Sequence, residues 1–101
     1  YGERAIATIQ DLNVDVAFIA ANGVSVDRGM STPEMETAKI KQVMMRNAQK
    51  VVLMADSSKL NKVSFVQFAD WRDINVFITD EQADSGAVQT ILKKEVDVRL
   101  V

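Results

Sequence analysis

Val51-Val52-Leu53-Met54-Ala55-Asp56-Ser57-Ser58-Lys59 runs five apolar residues straight into a polar loop. A run of that length is too short for a membrane span and reads as a strand buried on both faces. Such strands occupy the middle of α/β sheets, where ligands bind just outside the carboxyl ends of the strands. Asp56, Ser57, Ser58 and Lys59 stand at such an end. They offer a carboxylate, two hydroxyls and an ammonium, groups suited to a polyol or a phosphate, with no nucleophile-base pair. The plain alternative is an Asx-type turn with no further role.

Two other runs have the same form. Asp15 to Ala21 is a second buried-strand candidate and stops at the turn signal Asn22-Gly23. Asn75 to Asp80 is a third, ending in the hydroxyl of Thr79 and the carboxylate of Asp80. The three ends can converge on one sheet edge. Ahead of them, Ala5, Ile6, Ile9 and Leu12 make a narrow apolar helix face. Asn22 to Pro33 reads as a long polar loop with Gly23 and Gly29 as flexible points, and long structured loops are often functional.

Ser31-Thr32-Pro33-Glu34 then places a hydroxyl at a helix N-cap, proline at the first helical position and an acid in the first turn. The helix is expected to run to Ala48. Ala38, Ile40, Val43, Met44, Met45 and Ala48 share one arc of it. Lys41 falls inside that arc, either snorkelling from the core edge or aimed at a ligand or a neighbouring subunit. Val63 to Phe68 reads as a short strand or extended segment with a phase slip. Asp70 to Asp73 is a turn whose Trp71 suits packing or an interface better than base stacking, since no basic-aromatic pattern surrounds it. Asp84 or Ser85 can cap a last helix with Ala87, Val88, Ile91 and Leu92 on one face. Asp97 to Val101 closes with a short strand. Helices alternating with strands imply an α/β fold, a mainly parallel sheet flanked by helices. Such a sheet made of these strands alone has few members and an exposed side, so part of it is expected upstream of Tyr1.

Composition narrows the chemistry. The 101 residues suit one domain with one core, and 48% apolar content is enough to fold it. A net charge of −2 argues against a nucleic-acid-binding surface on this piece. Histidine and cysteine are absent, which removes the commonest general base, the Ser-His-Asp arrangement, disulfides and the usual zinc sets. The acids are scattered, so no metal or cofactor is expected. No signal peptide or membrane span is visible, and a cytoplasmic location fits the lack of disulfides.

Several spaced motifs carry a resemblance over nearly the whole chain. They are Ala17 to Val24, then Gly29-Met30-Ser31-Thr32-Pro33, Lys41 and Met44, Ala55-Asp56-Ser57-Ser58-Lys59, and Ile78-Thr79-Asp80. In this order they resemble the C-terminal sensor domain of DeoR-type transcriptional repressors. The resemblance implies a sensor of the ribose-5-phosphate isomerase-like fold, present here in its C-terminal part. It implies a phosphorylated sugar as effector, homo-oligomers, and operator DNA bound by an N-terminal winged helix-turn-helix outside this fragment. Asn22 and Gly23 would let the backbone approach the sugar, with Asn22 contacting a hydroxyl. Lys59 would pair with ligand oxygens or phosphate. Asp56 would orient Lys59 or accept a hydroxyl beside Ser58. Thr32 would seat an anion at its helix start, with Lys41 as a further contact. The sequence departs from the family at Thr37, where an acid is common. The alternative is a sugar-phosphate isomerase-like enzyme. In those isomerases the strand-end turn carries two aspartates, whereas here it reads Asn22-Gly23-Val24-Ser25. Amide and hydroxyl are not general bases near neutral pH, so binding is expected rather than catalysis.

Overall fold

A computed structural model of the chain describes residues 3–101. Its elements in order are α1 (Glu3–Ile9), β1 (Val14–Ala20), β2 (Gly23–Ser25), β3 (Gly29–Thr32), α2 (Met35–Arg46), β4 (Ala48–Met54), β5 (Val66–Ala69), β6 (Val76–Thr79), α3 (Ser85–Leu92) and β7 (Asp97–Leu100). Single 3-10 turns occupy Ser57–Lys59 and Trp71–Asp73. The strands form two sheets. β1-β4-β6-β7 is parallel throughout, and β2-β3-β5 is antiparallel.

The parallel sheet follows from the apolar runs. β4 lies between β1 and β6, with Val51, Val52 and Leu53 all buried, as expected of a central strand. Leu53 and Phe77 sit side by side in register and are fully buried, and Ile91 of α3 is fully buried in the same core. Burial of each such side chain contributes about 2 kcal/mol. The sheet grows in one direction, and right-handed crossovers then leave their connections on one face. Burial along β1 agrees. Ala17 and Ile19 face the core, while Val14, Val16 and Phe18 are exposed, Phe18 at 62%. β1 is therefore a half-buried edge strand and not the fully buried one its composition suggests. Its outer edge, with Ile9, Leu12 and Met44, borders an apolar groove of about 350 Å³.

Asn22 to Pro33 is not a loop. It folds as the hairpin of β2 and β3, with Val24, Met30, Ser31 and Thr32 buried. Gly29 has φ +75°, and a Cβ there would lie 2.2 Å from the Ala69 carbonyl oxygen. Left-handed backbone and close approach together require glycine at this position. The Val63 to Phe68 strand is shorter, begins at Val66 and joins this second sheet, leaving Phe65 87% exposed.

The helix expected from Pro33 begins at Met35, with Glu34 as N-cap, and ends at Arg46. Thr32 closes β3. The residue before a proline is pushed towards extended backbone, which suits a strand end and not a cap. Ala48 already belongs to β4. The last helix is capped as its sequence suggests, the Asp84 carboxylate accepting from the Ala87 amide at 2.9 Å. Trp71 is 4% exposed, so it serves the core and is closed to any partner. Its Nε1 donates to the Ser25 carbonyl at 2.9 Å, and its ring meets Phe77 edge-on at 5.5 Å.

Candidate functional site

Parallel strands ending at one level bring their C-terminal loops together. The ends of β1, β4 and β6 border a cleft of about 400 Å³. Ala20 and Ala21 come from β1 and its end, and Met54, Ala55, Asp56 and Lys59 from β4 and its loop. Ile78, Thr79 and Asp80 come from β6, and Val101 follows β7. A depression of about 410 Å³ lies elsewhere, lined by Gln42, Met45, Arg46, Phe68 and Asp73. None of its lining residues belongs to the parallel sheet, so the strand-end cleft is the candidate site.

The β4 loop is held by its own carboxylate. Asp56 accepts from the Ser58 amide at 2.8 Å and from the Ser58 hydroxyl, which is the Asx turn its sequence allows. These bonds favour the ionised form and hold the Asp56 carboxyl below the ordinary aspartate range. Asp80 reaches across from β6 and accepts from the Ser57 amide at 2.7 Å, and from the Gln82 amide at 2.9 Å. The Ser57 bond is the main reason that its carboxyl is also held low. One carboxylate thus ties the ends of two adjacent strands.

Two of the seven expected site residues line this cleft and five do not. Asp56 and Lys59 line the cleft, while Ser58 is occupied by Asp56. Asn22 directly follows the lining residue Ala21, and its side-chain oxygen accepts from the Thr32 hydroxyl at 3.4 Å. Thr32 is buried in β3 and cannot seat an anion at a helix start, because the helix does not begin there. Gly23 is packed within the protein. A Cβ would lie 2.6 Å from both the Lys62 carbonyl oxygen and Ser31 Oγ, so its smallness serves chain packing at that spot. Lys41 donates to the Ala20 carbonyl at 2.5 Å, with its ammonium 5.0 Å from the Phe68 ring centroid. Partial burial lowers its pKa. It binds the end of β1 and is not among the cleft's lining residues.

Thr79 and Asp80 belong to the cleft and were not among the expected ligand residues. The available signal was the hydroxyl-carboxylate pair at the end of an apolar run. Among the described residues no group of three or more His, Cys, Asp or Glu side chains could hold a metal ion, and no helix is long and apolar enough to cross a membrane.

Comparison with known proteins follows the same lines. Residues 1–81 match the family described as the DeoR C-terminal sensor domain. The chain is 40% identical over 90 residues to the HTH-type transcriptional regulator GlpR of Haloferax volcanii, covering 89% of this chain and 35% of that protein. It is 35% identical over 80 residues to the HTH-type transcriptional repressor GlcR of Bacillus subtilis, covering 79% of this chain and 31% of that one. The chain thus spans about a third of the length of these relatives.

Proposed function

The chain belongs to the DeoR family of transcriptional regulators, within their C-terminal sensor domain, and from that premise we propose that it is the C-terminal part of an effector-sensing unit that binds a phosphorylated sugar and thereby controls operator binding by a helix-turn-helix domain elsewhere in the protein. The observation that carries this reading is the convergence of three strand ends on one largely apolar cleft that also carries Asp56, Lys59, Thr79 and Asp80. Lys59 supplies a cation to ligand oxygens, Asp56 accepts a sugar hydroxyl, and Asn22 stands at the β1 end of the same edge. The ends of β4 and β6 are cross-linked through Asp80, so a ligand on either loop bears on both. An effector that binds one arrangement of these loops better shifts the population towards it. The resulting coupling to DNA affinity would be of order 1–3 kcal/mol.

Binding without turnover is part of the proposal. The β1 end carries Asn22 where an isomerase would need a carboxylate, and Asn22 is engaged with Thr32. Oligomers of the full-length protein, formed away from the buried Trp71, are also proposed. The test is isothermal titration of the full-length regulator with a panel of sugar phosphates, alongside an operator gel shift. Binding of one of them with a changed operator affinity is expected. No binding to any, with operator affinity unchanged, sinks the reading. Conversion of a pentose phosphate by the same protein would favour the enzyme instead.

A further inference from the structure

Thr79 is 3% exposed, and among the described residues its Oγ1 is the buried side-chain polar atom left without a hydrogen-bond partner. The other buried polar side chains are served. Ser31 Oγ accepts from the Ser64 amide at 2.7 Å, and Thr32 donates to Asn22. A hydroxyl kept buried and unpaired is costly, and such a group in a native fold calls for an explanation. Thr79 lines the strand-end cleft beside Asp80. A ligand group arriving at that level would supply the missing partner.

The neighbouring charges say which ligand group that is. The Ser57 and Ser58 amides could have cradled a phosphate, but they are already given to Asp80 and Asp56. Two carboxylates therefore face this wall of the cleft against the single ammonium of Lys59. A phosphate dianion is poorly placed beside them. A carbinol group is well placed, because an ionised carboxylate only accepts, and Asp80 keeps acceptor capacity beyond its bonds to Ser57 and Gln82, while a threonine hydroxyl can donate or accept.

We propose that Thr79 and Asp80 are the hydroxyl-reading end of the cleft, taking adjacent carbinol groups of the effector's sugar and leaving its phosphate to be held elsewhere. This rests on the sugar-phosphate reading given above.

The test uses the full-length regulator as wild type, Thr79→Val and Thr79→Ser. Each is titrated calorimetrically with ribose 5-phosphate, glucose 6-phosphate, fructose 6-phosphate, fructose 1-phosphate and glycerol 3-phosphate, and each is melted without ligand. Thr79→Val should weaken the best binder about three- to tenfold, the worth of one neutral hydrogen bond. Thr79→Ser should restore most of that. Thr79→Val should melt no lower than wild type, since an isosteric methyl replaces an unpaired hydroxyl. Unchanged affinity in Thr79→Val overturns the inference and leaves the sensing reading standing. A lower melting temperature shows a hydroxyl bonded within the fold, and overturns it too. If wild type binds none of the five compounds, the sensing reading falls and this inference falls with it.

Discussion

Trp71 shows how one side chain can join two sheets. Its indole donates to β2 through Ser25, and its ring packs on Phe77 of β6. Trp71→Phe would keep much of the apolar contact and leave the Ser25 carbonyl without this partner, at a cost of about 1 kcal/mol. Trp71→Ala would cost about 3–5 kcal/mol, because a cavity adds to the lost transfer energy. Urea unfolding of both variants checks the order. A Trp71→Ala loss no larger than that of Trp71→Phe would remove the residue from the core account. Asp80 makes a different residue-scale prediction. Its folded pKa lies below the unfolded value of about 3.9, so its contribution is fully present above that pH. That contribution is lost as pH falls from there through the folded pKa. Stability measured at pH 5 and pH 3 should therefore fall less steeply in Asp80→Asn than in wild type. Equal slopes would mean that the bond to Ser57 does not persist in solution.

At the scale of elements, α2 starts without a side-chain cap, since Glu34 makes no such bond. Serine there could accept from the first-turn amides, and Glu34 already has the extended backbone of an N-cap, φ −114° and ψ 134°. Glu34→Ser should raise stability by about 0.5–1 kcal/mol, read as a higher melting temperature, and a drop would count against the assigned start. The elements also differ in how far sequence betrays them. β4 and β6 were legible because central parallel strands demand unbroken apolar runs. The hairpin of β2 and β3 was not. Gly23-Val24-Ser25 and Gly29-Met30-Ser31-Thr32 are too short and mixed for a periodic signal, and β3 is buried through its pairing with β2 and β5 and its packing on α2. Ser31-Thr32-Pro33 looked like a cap because hydroxyl-then-proline is common there, but the same pair also ends a strand. For the site, the Asp56 to Lys59 loop was readable from its polarity. The bond from Ser57 to Asp80 was not, because 23 residues of sequence separate the partners.

Across the whole molecule, the parallel sheet ends on one side at β1, whose outward edge is unpaired among the described residues. Leu12, Val14, Val16 and Phe18 are exposed along it. An exposed apolar edge strand is a template for pairing with another chain. The 101-residue chain, prepared alone, should therefore associate with rising concentration. Phe18→Lys should reduce that association, measured by light scattering, while changing the melting temperature little. Association unaltered by Phe18→Lys would point to another surface, such as the one around Phe65.

The bond from Ser57 to Asp80 also has a spectroscopic consequence. The proton of an amide whose nitrogen lies 2.7 Å from a carboxylate oxygen should resonate downfield of its neighbours and exchange slowly with solvent. It should move upfield as Asp80 takes up its proton in acid. A sugar that draws on Asp80 would perturb the same resonance, so the Ser57 peak in a nitrogen-proton spectrum can report occupancy of the cleft.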